Sequence, residues 1–180
     1  MNIVKITIEE FVNTIYDRYI KLFPEDEQRD WNNIEKNYDL GIENFYKIVD
    51  DNKTIGFFML ERIKDYPYYC DYFAIYEEYQ NKGYGSKAWE KLKEKIGNIG
   101  LVGEIEEVKE DNIITVRRFD FYKKLGFKKI DSLYLLYDVY YEPVIVNCDL
   151  SKKTTDKILM DYYLINCGEE EVKKNCKFIK

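Results

Sequence analysis

Apolar and polar residues along this chain repeat with two different periods, and each period predicts a different kind of element. Apolar residues from Phe11 to Phe23 recur at helical spacing, which predicts one helix that ends near Leu22, before Pro24. The strongly charged residues 25–38 predict a short helix flanked by loop. Short apolar runs predict strands at residues 3–6, 45–49, 54–63 and 68–75. A polar turn separates the second and third of these strands, so they should form a hairpin.

The second half of the chain predicts a crossover between parallel strands. Residues 86–96 predict a helix, and residues 101–108 predict the strand after it. A strand, a helix and a second strand in this order form a βαβ unit, so the strands at 68–75 and 101–108 should be parallel neighbours. The next predicted elements are a helix at residues 115–125, a strand that starts at Phe127, and strands at 133–140 and 141–148 with a bend at Asp138 or at Glu142-Pro143. A helix at 151–165 and a charged, frayed end at 168–180 complete the chain.

The composition limits the class of protein. The chain has 180 residues, 46% of them hydrophobic, which predicts one domain with a core at about residues 1–149 and a helical extension over residues 150–180. The formal net charge of -6 and the lack of a long basic run argue against a nucleic-acid partner. We expect a cytoplasmic protein without a membrane partner, because no apolar stretch is long enough for a span and the first residues do not resemble a signal peptide.

The chain has no histidine, and this restricts its chemistry. Ser-His-Asp and Cys-His catalysis are excluded, so an acid or base must come from Glu, Asp, Tyr, Lys or Cys. The 4 cysteines form no C-x-x-C pair, so we expect free thiols and no metal site. Cys70 is an alternative nucleophile, but it lies early in a strand and has no histidine to activate it.

Two glycines, Gly83 and Gly85, lie between the predicted strand at 68–75 and the predicted helix at 86–96. A glycine-rich loop that opens a helix is suited to bind a phosphate group, because unpaired N–H groups and the positive end of the helix dipole point at one place. The glycines also let the backbone approach a ligand, and Lys82 adds a positive charge. A plain strand-to-helix turn without a ligand is the alternative.

Two nucleotide-binding patterns fit this loop incompletely. A Walker A loop needs G-x-x-x-x-G-K-[ST], whereas the order of Gly85-Ser86-Lys87 is different and the first glycine is missing. The dinucleotide fingerprint G-x-G-x-x-G/A is satisfied through Ala88, with acidic residues about 20 positions later. That fingerprint follows directly on an apolar strand, however, and residues 76–82 are polar and charged here.

A third pattern, Q-x-x-G-x-G, begins at Gln80, and a second motif supports it downstream. Residues 117–127 read R-R-x-x-F-Y-x-x-L-G-F, with a glycine that should cap the helix before it. Together the two motifs resemble the GNAT family of N-acetyltransferases, over about residues 3–149 and most closely over 68–127. The segment Gly103-Glu104-Ile105-Glu106 is similar to the Leu-Glu-Val pattern of that family.

The resemblance implies an α/β (α+β) fold of the GNAT type. Its central sheet would be mixed and mostly antiparallel, with about seven strands flanked by helices. The parallel pair at residues 68–75 and 101–108 would be splayed apart at the glycine loop. The cofactor would be acetyl-coenzyme A, the acetyl donor, with no metal. The residues implied in binding it are Phe73, Ala74, Ile75, Gln80, Asn81, Lys82, Gly83, Tyr84, Gly85, Ser86, Thr115 and Arg118.

The resemblance also implies catalytic roles. Tyr122 occupies the position of the general acid that protonates the departing thiolate. Glu104 and Glu106 share one face of their strand because side chains alternate, and an exposed strand end is the alternative explanation for them. Of the two carboxylates, Glu104 is our first choice for the general base and Glu106 the second. Thr115 stands where many members of the family have an asparagine that contacts the cofactor.

The acceptor is less constrained by sequence than the donor. An acidic chain suits a cationic amine, so we expect an N-acetyltransferase that acts by direct transfer to a primary amine of a small molecule, and a homodimer as its assembly. Two alternatives stay open. One is a non-catalytic module that binds coenzyme A on the same fold. The other is an acetyltransferase of the ribosomal-protein type, which acts on a protein N-terminus.

Overall fold

The computed structural model describes residues 1–179, which form two compact units. The first unit comprises Met1–Lys64 and Cys70–Lys95, and the second comprises Asp65–Tyr69 and Ile96–Lys180. The expectation that the whole chain folds as one domain stays a prediction.

The first unit contains antiparallel strands joined by a tight turn. Its strands are β1 (Asn2–Ile6), β2 (Glu43–Asp50), β3 (Lys53–Glu61) and most of β4 (Tyr68–Ile75), in that order across the sheet. The predicted hairpin of β2 and β3 is confirmed, with Asp50 opposite Lys53. The two residues between them, Asp51 and Asn52, have φ angles of 46° and 60°, values that Asp and Asn tolerate better than most side chains.

Both faces of this sheet are covered by helices. The helices of the first unit are α1 (Ile8–Thr14), α2 (Tyr16–Leu22), α3 (Trp31–Asp39) and α4 (Tyr84–Ile96, of which residues 84–95 belong to this unit). On one face, Phe11 of α1 stacks on Phe45 of β2 with ring centroids 4.3 Å apart. On the opposite face, Trp89 of α4 packs edge-on against Phe58 at 5.0 Å. Because successive side chains of a strand point to opposite faces, neighbouring aromatic residues of β3 pack on opposite sides of the sheet.

The single helix predicted before Pro24 is wrong, because two helices form there. Ile15 has φ −125° and ψ −34°, which is outside the helical range, and it separates α1 from α2. Its side chain is fully buried, so core packing fixes this residue where sequence periodicity alone suggests continuity. The capping threonine Thr7 accepts a hydrogen bond from the Glu10 N–H and fixes the start of α1.

A buried arginine attaches the segment between α2 and α3 to the strands of the first unit. The Arg29 guanidinium donates to Glu43 at 2.8 Å and to Asp71 at 2.7 Å, and lies 3.0 Å from Glu61. Only 10% of the Arg29 side chain is exposed. One oxygen of Glu43, Oε1, is buried without a hydrogen-bond partner among residues 1–179. Three acidic side chains therefore share one largely buried cation.

The second unit contains the predicted parallel pair. Tyr68 and Tyr69 at the start of β4 pair in parallel with Leu101 and Val102 of β5 (Leu101–Glu106). This confirms the expected fold class, a mostly antiparallel sheet with one parallel β4/β5 pair. The expected splaying of the two strands beyond these residues stays a prediction.

The rest of the second unit is antiparallel sheet and two helices. Its further elements are α5 (Ile113–Lys124), β6 (Lys128–Lys129), β7 (Tyr134–Leu136), β8 (Val139–Val146), α6 (Lys152–Asn175) and β9 (Cys176–Phe178). The strands follow the order β4-β5-β8-β7-β9, and β6 pairs with β8. The strand expected to start at Phe127 forms one residue later, as β6, whereas β9 was not predicted. Residues 1–179 thus form a sheet of 9 strands, where about seven were expected.

Two boundaries in this unit differ from the sequence prediction. Of the two bends expected here, at Asp138 or at Glu142-Pro143, the first is confirmed: the turn lies at Tyr137 and Asp138, with φ angles of 46° and 65°. The strand before it therefore ends at Leu136, earlier than the predicted residue 140. Two consecutive positive φ angles are typical of a two-residue hairpin turn. The expected fraying from residue 168 onward is also wrong for the described part of that segment. The helix bends at Gly168, where φ is 81°, continues to Asn175 and leads into β9.

Burial explains why the helix continues beyond residue 168 and leads into β9. Val172 and Cys176 are 6% and 8% exposed, and Cys176 lies opposite Leu136 in the β7/β9 ladder. Lys180, the last residue of the predicted frayed end, lies outside the described residues. Within residues 1–179, no helix combines the length and the apolar character needed to cross a membrane, and no group of three side chains could hold a metal ion.

Candidate active site

The glycine loop of the first unit is fixed to the end of β4 by a side chain. The Gln80 amide Nε2 donates a hydrogen bond to the carbonyl oxygen of Ile75, the last residue of β4, at 2.8 Å. The Gln80 N–H in turn donates to the Glu77 carbonyl at 3.1 Å. The glutamine that begins the Q-x-x-G-x-G pattern therefore sets the path of the chain from strand to loop.

The backbone of the loop has the geometry of an anion cradle. Asn81 and Gly83 have φ angles of 60° and 77°. A Cβ added at Gly83 would meet no heavy atom within 4 Å, so a ligand can approach the backbone there. The Lys87 N–H donates to the carbonyl of Gly83, the residue before α4, at 3.2 Å. The N–H groups of Tyr84, Gly85 and Ser86 precede it and have no intrahelical acceptor.

The charged and aromatic side chains of the loop lie beside this cradle. The Lys82 ammonium donates to the Glu78 carbonyl at 2.8 Å and lies 6.0 Å from the centre of the Tyr79 ring. The Tyr84 ring packs edge-on to Tyr79 at 6.1 Å. Desolvation, followed by the carboxylate of Asp50, raises the pKa of Tyr84. The loop thus presents an ammonium group and a phenol hydroxyl, which both suit a phosphate ligand.

The end of β4 is held close to β3 by a glycine. A Cβ at Gly56 would lie 2.2 Å from the Ala74 carbonyl oxygen, a distance that no side chain can occupy. Phe73 points to the face of α4, where it stacks on Phe58 at 4.7 Å and contacts Trp89 at 5.2 Å. The structure therefore places Phe73, Ala74 and Ile75 together with the loop residues 80–86, within one unit.

The remaining predicted residues lie in the second unit. Glu104 is half-buried on β5, and its carboxylate accepts hydrogen bonds from the hydroxyls of Tyr69 at 3.1 Å and Tyr134 at 2.6 Å. The hydroxyl of Tyr163 donates to the same carboxylate. These donors stabilise the ionised form of the carboxylate.

Glu106 has a different partner from Glu104. Its carboxylate forms a salt bridge of 2.8 Å with Arg118 of α5, in which both side chains are more than 40% exposed (43% and 45%). An exposed pair of this kind is worth little in stability and is screened by salt. Arg118, expected at the cofactor, is therefore joined to the second candidate base in this structure.

Tyr122 and Thr115 lie on the same helix in different surroundings. Tyr122 is half-buried, and its ring packs edge-on against Phe127 with centroids 5.2 Å apart. Thr115 is 4% exposed, and its hydroxyl donates to the Asn112 carbonyl at 3.0 Å and accepts from the Lys109 N–H at 3.2 Å. The hydroxyl of Thr115 thus holds the turn that precedes α5.

Sequence reasoning missed the three tyrosines that surround Glu104. Tyr69, Tyr134 and Tyr163 come from β4, β7 and α6, which are far apart in the chain. With 18 tyrosines in the sequence, nothing marks these three. The only available signal is the partly apolar face of α6, which predicts burial of Tyr162 and Tyr163 but not a partner.

Comparison with known proteins identifies the family. The sequence model of the acetyltransferase (GNAT) family matches residues 8–127, so this chain belongs to the GNAT family of acetyltransferases. No curated protein matches the chain at a significant level. The expected family and its mixed sheet with a parallel β4/β5 pair are confirmed.

Solved structures show the same fold at low sequence identity. A protein described as an acetyltransferase of the GNAT family, from Bacteroides thetaiotaomicron, has a TM-score of 0.80 and 22% identity over 94% of this chain and 99% of its own. A GNAT acetyltransferase from Elizabethkingia anophelis, solved with acetyl-CoA bound, has a TM-score of 0.58 and 16% identity over 81% of this chain and 96% of its own. The ribosomal-protein-S18-alanine N-acetyltransferase from Escherichia coli has a TM-score of 0.58 and 13% identity over 84% of this chain and 96% of its own.

Proposed function

We propose that this protein is an acetyl-coenzyme A-dependent N-acetyltransferase that transfers an acetyl group directly to a primary amine of a small molecule. The observation that carries the proposal is the glycine loop. Gly83 leaves open space above a backbone turn, and the N–H groups of Tyr84, Gly85 and Ser86 start a helix beside it. An anion is stabilised at such a place by direct hydrogen bonds and by the helix dipole.

The residues of the first unit fit the donor. Backbone N–H groups over residues 80–86 would hold the pyrophosphate, with the ammonium of Lys82 close to them. The backbone of Phe73, Ala74 and Ile75 would hold the pantetheine arm by strand-like pairing. When bound, acetyl-coenzyme A supplies an acetyl group activated as a thioester. By family resemblance, Thr115 and Arg118 are further candidates for contact with it.

The residues of the second unit would move the protons. An ammonium acceptor must lose one proton before its nitrogen can attack a carbonyl carbon, and Glu104 would receive that proton at Oε2 through water. Glu106 is the second candidate base. Tyr122 would donate its hydroxyl proton to the departing sulfur and be reprotonated by the second proton that the attacking nitrogen loses, so that each turnover releases one proton to solvent, from Glu104. The net charge of -6 favours a cationic acceptor.

Ligand-induced thermal stabilisation tests the donor site. At a hundredfold excess over Kd, acetyl-coenzyme A should stabilise the protein by about 2.7 kcal/mol, which raises Tm by roughly 5–10 °C for a chain of this size. NAD should have no effect. Gly83→Asp should abolish the shift, because it places bulk and negative charge where the pyrophosphate binds.

Gly41→Asp is the matched control. Gly41 is also exposed, has φ +73° and has no heavy atom within 4 Å of an added Cβ, so the backbone strain of the substitution is the same. The control should keep the full shift with acetyl-coenzyme A. If NAD stabilises the protein and acetyl-coenzyme A does not, the dinucleotide interpretation of the loop is correct and this proposal is wrong.

A further inference from the structure

Three tyrosine hydroxyls from three elements converge on the carboxylate of Glu104. Tyr69 of β4 donates to Oε1, and Tyr134 of β7 and Tyr163 of α6 both donate to Oε2. Tyr134 and Tyr163 are 0% and 3% exposed. A side chain with such buried donors has one fixed orientation, because any other rotamer would leave polar groups without partners.

Oε2 of Glu104 and the two hydroxyl oxygens form a triangle. The hydroxyls of Tyr134 and Tyr163 lie 2.9 Å from each other in addition to their bonds to Oε2. Each hydroxyl carries one hydrogen, so with an ionised carboxylate there are two hydrogens for three contacts. A proton added to Oε2 supplies the missing hydrogen, and every contact of the triangle is then a hydrogen bond. The two bonds donated to Oε2 are charge-assisted and strongest when the carboxylate is ionised, yet the cluster can still accept one proton without losing a hydrogen bond.

The surrounding groups leave the carboxylate as the site of that proton. Burial, followed by the charge of Glu104, raises the pKa of Tyr134 and of Tyr163 well above the usual range, so both phenols stay protonated. Burial, and to a smaller extent the charge of Glu104, raises the pKa of Cys176 of β9 to about 11, so this group stays a neutral thiol. The phenols and the thiol thus stay neutral, which leaves the carboxylate as the proton acceptor of this cluster.

We propose that Tyr163 is a positioning residue that, together with Tyr134, makes Glu104 a proton-accepting site, so that helix α6 takes part in the acetyl transfer. The inference rests on the proposed function, in which Glu104 is the base. Tyr163 lies outside residues 8–127, the part of the chain that the family model matches. A residue beyond the part of the chain that the family model matches thus acts on the candidate base Glu104.

The proton balance of the step is simple. One N–H bond of the acceptor ammonium breaks, the electron pair stays on nitrogen, and the proton arrives at Oε2 of Glu104 through water. The triangle rearranges by rotation of the two hydroxyls. The proton leaves to solvent after the acetylated product departs, and no other reactant is needed.

The pH dependence of kcat/KM for acetyl transfer, compared between wild type and Tyr163→Phe, tests the inference. Removal of one donor to a carboxylate disfavours its charged form, so the pKa of Glu104 should rise by about one to two units. The acid limb of the profile should move to higher pH by the same amount, and the KM for acetyl-coenzyme A should stay unchanged. Tyr134→Phe should shift the limb in the same direction.

Tyr162→Phe is the matched control. Tyr162 is the next residue of the same helix and is 0% exposed, but its hydroxyl donates to the Pro67 carbonyl oxygen at 2.8 Å. The control should lose stability to a similar degree and leave the acid limb in place. A direct readout is the carbon-13 NMR titration of the Glu104 side chain, assigned by its absence in Glu104→Gln, which does not depend on activity.

The outcomes separate the inference from the function on which it rests. If Glu104→Gln abolishes the acid limb and Tyr163→Phe leaves both the limb and the NMR pKa in place, the positioning role of Tyr163 is refuted and Glu104 remains the base. If Glu104→Gln keeps the limb while acetyl transfer proceeds, Glu104 is not the base and the inference falls although the activity stands. A protein that transfers no acetyl group refutes the proposed function itself.

Discussion

Replacement of Arg29 by methionine should strongly destabilise the first unit. The guanidinium contacts Glu43 at 2.8 Å, Asp71 at 2.7 Å and Glu61 at 3.0 Å. Glu43 and Glu61 have fully buried side chains, so neither can turn to water when the cation is removed. Loss of one partner of a buried ion pair costs about 3–5 kcal/mol, because the remaining charge is uncompensated. For a chain of this size that corresponds to a fall in Tm of roughly 6–20 °C.

The loss should also depend on pH in a defined direction. Burial raises the pKa of Glu43 well above its usual range. Arg29 lowers this pKa, and the charges of the neighbouring carboxylates raise it. A carboxyl group whose pKa is higher in the folded than in the unfolded state contributes stability at low pH that disappears as the pH rises through the folded pKa. Without Arg29 this pKa rises further. The destabilisation should therefore be smallest at acid pH and should grow as the pH rises through the pKa that Glu43 has in the folded wild type.

Urea denaturation followed by circular dichroism at several pH values measures both quantities. Arg18→Met is the matched control, because Arg18 forms an exposed salt bridge of 2.9 Å with Glu78 in the same unit. That variant should lose only a small fraction of the free energy of unfolding lost by Arg29→Met, with little dependence on pH. Equal, small and pH-independent losses in the two variants would refute the reasoning about the buried cluster.

Three further predictions concern the proposed chemistry and the strand beside it. Tyr122→Phe should lower kcat about ten- to a thousand-fold while thermal stability and acetyl-coenzyme A binding change little, and unchanged kcat with transfer rate-limiting would exclude the tyrosine as the acid. Glu104→Gln should slow acetyl transfer most at neutral pH, and the rate should recover partly at high pH, where the amine loses its proton unaided. Glu106→Gln should slow transfer less. Equal and pH-independent losses of rate would exclude both residues as the base. Gly56→Ala should lower the free energy of unfolding by about 1–3 kcal/mol, because the added methyl group would overlap the Ala74 carbonyl oxygen, and an unchanged urea midpoint would contradict this.

Local signals in the sequence predicted the elements around the glycine loop. The strand that ends at Ile75, the positive φ angle of Gly83 and the glycine cap after α5 each depend on residues a few positions apart. The parallel pairing of β4 and β5 followed from the order of elements alone. These features were accessible because short-range chemistry determines them.

Long-range contacts were not accessible in the same way. Tyr163 is 59 positions from Glu104, and Asp71 is 42 positions from Arg29, so no periodic pattern connects the partners. The strand β9 has only 3 residues, and its pairing depends on the exposed edge of β7. The break at Ile15 likewise reflects burial in the core and not a local helix-stop signal. Each of these features is fixed by tertiary packing.

The most direct test of the proposed function is acetyl transfer itself. Purified protein is incubated with acetyl-coenzyme A and a panel of small primary amines, including polyamines, aminoglycosides and amino acids, together with a peptide that has a free N-terminus. Release of free thiol and the mass of the amine product are measured. We expect amine-dependent thiol release and a small-molecule product heavier by one acetyl group, both lost in Gly83→Asp and retained in Gly41→Asp. Binding of acetyl-coenzyme A without transfer to any amine of the panel would contradict the proposal and favour a non-catalytic module, and transfer to the peptide alone would contradict the small-molecule acceptor.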